Sequence, residues 1–170
     1  MKGAKRKKAD ADAPNPRSVA RITAVQALYQ MDLAGTDVEQ VIEEFTERRF
    51  KGADGESESE SKLAGADPVF FADILKGVVR RQRDIDPLVD QTLAAGWRLV
   101  RVDSILRAIL RAGVFELYER SDIPARVTIN EYINVAHAFF EGDEPKVVNG
   151  VLDRIAHRLR ASEFPKAESG

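Results

Sequence analysis

The stretch Ser121–Leu159, SDIPARVTINEYINVAHAFFEGDEPKVVNGVLDRIAHRL, decides the fold class. After Pro124, the residues Ile129, Ile133, Ala136 and Phe140 recur at helical intervals. After Pro145, Val148, Val151, Leu152, Ile155 and Leu159 do the same. Proline suits the first turn of a helix, where its missing N–H is not needed, so each proline reads as a helix start. A short acidic loop, Glu141–Glu144, joins the two helices. The second carries Asn149-Gly150 in its interior. Glycine there costs about 1 kcal/mol relative to alanine, which predicts a close backbone approach or a special surface.

The rest of the chain repeats this pattern. Met1–Pro16 mixes charge, alanine and proline with little to bury, and reads as a disordered basic tail over residues 1–16. Ser18 is a candidate N-cap for a helix over Val19–Leu33 that stops at Gly35. Two apolar lines on that helix, Ile22/Val25/Tyr29/Leu33 and Ala20/Ala24/Leu28/Met31, predict packing on two sides. Asp37 caps a second helix, Val38 to about Phe50. The acidic, small-residue segment from Gly52 to Asp67 reads as a flexible surface loop, and its Ser/Glu repeat lacks the convergent ligands of a Ca²⁺ site. Asp67-Pro68 opens a third helix with Val69, Phe70, Ile74, Val78 and Val79 in line, and Asp86-Pro87 predicts a restart that runs on to Gly96. Val102–Tyr118 forms another helix, with Arg107 and Arg111 on its polar side. No segment alternates like a strand. The expected fold is all-α: one domain over residues 17–160, a compact bundle of six or seven helices, with a short disordered tail at 161–170.

Composition excludes several functions. The chain has 170 residues, 44% hydrophobic and 32% charged, with no cysteine, which removes disulfides, thiolate nucleophiles and cysteine zinc sites. No apolar run reaches membrane length, and the basic N-terminus is not followed by a secretory core, so a soluble cytoplasmic protein is expected. There is no phosphate-binding glycine loop, no GxGxxG and no HExxH. His137 and His157 fall on separate helices without a partner at metal-ligand spacing, so neither a metal nor a cofactor is expected. Asp143 and Glu144 before Pro145 read as a helix N-terminal device that accepts free N–H groups.

Net charge is −2, but the charge is unevenly spread. Lys2, Lys5, Arg6, Lys7 and Lys8 form a basic head, and Arg17 and Arg21 carry positive charge onto the first helix, followed by Gln26 and Tyr29. Arginine for phosphate, glutamine for base edges and tyrosine for stacking suit single-stranded RNA. On the residues alone, a helical module that docks other proteins is the broader reading, with RNA binding beside it.

Three segments carry a family resemblance: ARITAVQALYQMD, WRLVRVDSILRAILRAGVFELYERSDIP and VTINEYINVAHAFFEGDEPKVVNGVLDRIA. In this order they resemble the NusB family of bacterial transcription antitermination proteins over most of Arg17–Leu159. The resemblance implies two packed three-helix bundles and no catalysis. It implies binding to boxA, a short single-stranded RNA element, in a heterodimer with NusE, a small-subunit ribosomal protein. Other Nus factors and RNA polymerase complete that antitermination complex. By position, the RNA face it implies comprises Lys5, Arg6, Lys7, Lys8, Arg17, Arg21, Gln26, Tyr29, Trp97, Arg98, Phe139, Asp143, Lys146 and Asn149. The implied NusE side lies near Tyr29, Arg101 and Leu106. The chain departs from the family where its basic cluster lies upstream of an acidic spacer, where Val147 replaces a frequent aromatic, and in the long 52–67 loop. Two other readings stay open on the sequence: an RNA-targeting module like the domain preceding some rRNA cytosine methyltransferases, and a homodimeric protein-binding module.

Overall fold

The structure, a computed structural model, describes residues 15–47, 65–94, 98, 99 and 102–165. Among them are six α-helices and no strand: α1 Pro16–Ala34, α2 Val38–Phe45, α3 Pro68–Thr92, α4 Ser104–Glu119, α5 Ala125–Phe139 and α6 Glu144–Leu159. A short 3₁₀ turn, Ala161–Glu163, follows. The basic head Lys5–Lys8, most of the 52–67 loop, and Trp97 and Arg101 lie outside the described residues.

Local chemistry sets most of the boundaries. Asn15, not Ser18, caps α1: its side chain accepts from the Arg17 and Ser18 amides at 2.9 and 3.4 Å, with Pro16 in the first turn. The Ser18 hydroxyl instead donates to Glu131 of α5 at 2.8 Å. Gly35 stops α1 at φ 64° and donates its N–H to the Met31 carbonyl, a left-handed cap that glycine adopts without steric cost. Asp37, Asp67 and Asp103 cap α2, α3 and α4 by accepting free first-turn amides. Asp143 makes no such bond, so its expected capping role is overturned.

Two further expectations fail. α3 does not restart at Pro87 but runs through it to Thr92. The proline removes one backbone bond, while Ile85 and Val89 on either side are fully buried and keep the helix seated. The chain beyond residue 160 is also not a loose tail throughout. The buried Arg160 donates to the carbonyls of Leu117, Ile123, Glu116 and Arg120, the last at 2.7 Å. Glu163 accepts from the Ala125 amide at 2.9 Å, and the Phe164 ring stacks on His157.

The helices form two halves, α1–α3 and α4–α6, with α4 at the centre touching α1, α3, α5 and α6. Ten α4 residues are buried, Leu106 through Leu117 with few gaps. Two glycines let helices approach α4: a Cβ on Gly77 of α3 would lie 2.0 Å from the Phe115 ring, and one on Gly113 would lie 2.8 Å from Leu152 of α6. Arg111 of α4 grips Asp86 of α3 with two 2.9 Å bonds, and Arg107 reaches Asp32 of α1 at 3.4 Å. The two arginines read as a polar side therefore stitch α4 to the first half.

Candidate nucleic-acid interface

The two arginines of α1 have different fates. Arg17 is exposed at the helix start, its guanidinium 4.9 Å from the Phe70 ring centre. Arg21, one turn on, is 3% exposed and grips the wholly buried Glu116 with two 2.9 Å hydrogen bonds. Tyr132 donates its hydroxyl to the same carboxylate, and Glu131 lies 3.6 Å from Arg21. Burial alone would lower the Arg21 pKa, but the Glu116 bond and charge reverse this and hold it above its ordinary value. Burial, then the Glu116 charge, drives the Tyr132 pKa far up, so the phenol stays a donor. The expectation that Arg21 binds RNA phosphate is therefore corrected: its donors face a buried carboxylate and no ligand can reach them. Arg17 keeps its place in the candidate face.

Arg120 lies 5.2 Å from the same Phe70 ring and is held by Asp122 and Asp73, which raise its pKa. Phe70 is thus a buried plate ringed by guanidinium groups, of which Arg17 is the exposed one.

A second group gathers at the other end of α3. Arg98 is exposed and 3.7 Å from Asp90. Between Thr92–Ala94 and α6 runs a groove of about 240 Å³, lined among others by Asp143, Lys146, Val147, Gly150 and Arg154. Lys146 is 87% exposed and 4.0 Å from Asp143, itself 90% exposed. An ion pair that open is weak and leaves the lysine available to an anion. Arg154, which the sequence reading missed, reaches the Thr92 carbonyl at 3.5 Å and borders the groove. Only its spacing from Gly150 along α6 could have signalled it. A Cβ added to Gly150 would meet nothing within 4 Å, so this glycine serves open surface and not a close helix contact.

The expected face is therefore divided. The α1 start bonds to the α3 start through Asp67 N–H and the Pro16 carbonyl, while Arg98 and Lys146 sit by the α3 end. At 1.5 Å per residue, α3 separates the two groups by roughly 35 Å. Gln26 and Tyr29 are both half-buried, about 14 and 18 Å along α1 from Arg17, with Gln26 on the opposite side of the helix from Arg17. Phe139 is half-buried against the core, and Asn149 is exposed toward α5. Leu106 is 1% exposed inside α4, so its expected place in a partner surface is overturned; Tyr29 remains at the surface.

Among the described residues, no cluster of His, Asp or Glu is arranged to hold a metal, and no helix is long and apolar enough to cross a membrane.

The NusB family model matches residues 18–157. The chain is 53% identical over 152 residues to the transcription antitermination protein NusB of Rhodopseudomonas palustris (strain TIE-1), covering 89% of this chain and 85% of the relative. It is 54% identical over 145 residues to that of Caulobacter vibrioides (strain ATCC 19089 / CIP 103742 / CB 15), covering 85% and 95%. Among solved structures, T. maritima NusB superposes with a TM-score of 0.70 at 28% identity, covering 88% of this chain and 97% of that one. A structure of antitermination factors NusB and NusE in complex with dsRNA gives 0.65 at 25% identity, covering 83% and 96%.

Proposed function

This chain belongs to the NusB family, and from that premise we propose that it binds boxA-type RNA as a heterodimer with NusE and supports antitermination by RNA polymerase with other Nus factors. The observation that carries the reading is the match to the family over residues 18–157, nearly the whole described chain. The family is a non-enzymatic, RNA-binding one. The relative solved with NusE and RNA supports both partners by likeness.

On this reading Arg17 and Lys146, with Arg98 and Arg154 beside the latter, supply phosphate contacts at two ends of an RNA track. Tyr29 lies along α1, whereas Gln26, on the opposite side of that helix from Arg17, faces away from the track. A track of roughly 35 Å requires an extended single strand several nucleotides long. The exposed Asp143 carboxylate repels phosphate and accepts hydrogen bonds, so it suits a base amino group beside Lys146. Tyr29 and Arg101 remain the proposed NusE side.

The test is fluorescence anisotropy of labelled boxA RNA and of a scrambled RNA, each titrated with this protein alone and with NusE. Selective binding to boxA that tightens with NusE is expected. Equal, weak binding to both RNAs with no effect of NusE would overturn the proposal.

A further inference from the structure

Helix α6 divides two surface grooves. One is the α3–α6 groove of Lys146, Gly150 and Arg154. The other, about 280 Å³, lies between α5, α6 and the C-terminal turn, and Arg126, Asn130, Asn149, Asp153, His157 and Phe164 line it. Its chemistry differs from that of the first groove. The His157 and Phe164 rings stack with centres 3.9 Å apart and planes at 24°. The Arg126 guanidinium stands 6.0 Å from the Phe164 ring centre. Asn130 and Asn149 are exposed amides, each offering donors and an acceptor. His157 Nδ1 pairs with the Asp153 backbone carbonyl at 2.8 Å, which holds the imidazole plane, and the Asp153 carboxylate lies 3.6 Å from the same nitrogen. A stacking platform, amides for a base edge and an arginine for phosphate are together the chemistry that holds an unpaired nucleotide.

Gly150 links the grooves. It lines the first groove, while its neighbour Asn149 lines the second. A Cβ at Gly150 would meet nothing within 4 Å, and the residue is exposed in mid-helix. The helix bears the cost of this glycine without gaining any packing from it. What the glycine does provide is a low point on the ridge of α6, over which a strand can pass from one groove into the other.

We propose that the α5–α6 groove is an additional nucleotide subsite, which takes one unpaired base of a single-stranded RNA that crosses α6 at Gly150. The base stacks on the His157–Phe164 pair, Asn130 and Asn149 bond its edge, and Arg126 holds its phosphate. This rests on the RNA-binding reading above and extends it beyond the first groove.

The test compares labelled boxA RNA with the same RNA carrying a short unpaired extension at the 5′ or the 3′ end, using the full chain with NusE. One extension should tighten binding about tenfold, the scale of one stacked base. Asn130→Ala and Phe164→Leu should each remove that gain and leave binding of plain boxA unchanged; thermal melts check that both variants are folded. The His157 ring resonances should shift with the extended RNA only. Equal binding of plain and extended RNAs, or a gain that survives both substitutions, overturns the subsite alone. Tighter binding by Phe164→Leu also overturns it, because the ring would then block the groove. Failure of plain boxA to bind overturns the proposed function and the subsite together.

Discussion

Replacing Arg21 with alanine should unfold the protein at lower temperature without changing how RNA binding depends on salt. The guanidinium is 3% exposed and bonded twice, at 2.9 Å, to a wholly buried carboxylate. Its removal leaves Glu116 charged in the core with the Tyr132 hydroxyl as its remaining side-chain donor. Breaking a buried pair from one side costs about 3–5 kcal/mol, because the surviving charge stays desolvated. For a chain of this size, each kcal/mol shifts the melting temperature by roughly 2–4 °C, so a drop of about 6–20 °C is expected by circular dichroism. Arg21→Met with Glu116→Leu should recover much of the loss, since apolar replacement of both partners removes the stranded charge. Below the melting transition, Arg21→Ala should keep the wild-type slope of log affinity against log salt. Arg17→Ala should instead flatten that slope by about 0.7, the loss of one single-strand phosphate contact. A stability loss below about 1 kcal/mol, or a flatter slope for folded Arg21→Ala, would refute the assignment of Arg21 to the core.

The two helical glycines should respond in opposite directions. Gly77→Ala drives a methyl into the Phe115 ring and should cost about 1–3 kcal/mol in urea unfolding, whereas Gly150→Ala meets open space and should gain about 1 kcal/mol. Arg160→Ala strips donors from four carbonyls at the α4 end and should lower stability by about 2–4 kcal/mol, measured the same way. Acid should destabilise the fold in part through Glu119, Asp122 and Glu163. Burial opposes the shift at Glu119, but its bonds to Arg81 and Arg80 hold its pKa below its ordinary value; the Arg120 bond does so at Asp122, and the Ala125 amide at Glu163. A carboxylate with a depressed folded pKa stabilises fully above its unfolded pKa, near 4, and that contribution is lost as pH falls through the lower folded value. Melting temperature should therefore fall below about pH 4, and less steeply in Glu119→Gln.

What the sequence made legible was local. Asp37, Gly35 and the Asp67-Pro68 pair mark their helix boundaries with their own side chains or backbone, and the structure uses all of them. The apolar lines of α5 and α6 likewise point inward as read, with Ile129, Ala136, Val148, Val151, Leu152 and Ile155 buried and Ile133, Phe140 and Leu159 partly buried against the core. What stayed hidden depends on partners far along the chain. Arg17 and Arg21 look alike in sequence, and only Glu116, on another helix, decides which is buried. Gly150 left a close approach and a special surface both open; the structure puts it on open surface, and the close approaches occur at Gly77 and Gly113, where Phe115 and Leu152 face them. Pro87 looked like a break because its local cost is visible and the burial of Ile85 and Val89 is not.

The same long-range pairing limits how much of the positive charge is free for RNA. Arg80 and Arg81 are tied to Glu119, Arg107 to Asp32, Arg111 to Asp86, and Arg120 to Asp73 and Asp122. Among the described residues of the two ends of the track, this leaves Arg17, Arg154 and the weakly paired Arg98 and Lys146 for phosphates. Three or four single-strand contacts give a salt slope of about −2 to −3. So shallow an electrostatic contribution means that base contacts and NusE must supply much of the affinity, in keeping with a chain whose net charge is −2. A measured slope steeper than about −5 for plain boxA, which does not reach Arg126, would require further cations, and the basic head Lys5–Lys8 is the densest group of them in the sequence. Deleting residues 1–14 should then return the slope to the shallow value. A steep slope that survives the deletion would refute the view that ion pairing within the fold neutralises most of the arginines.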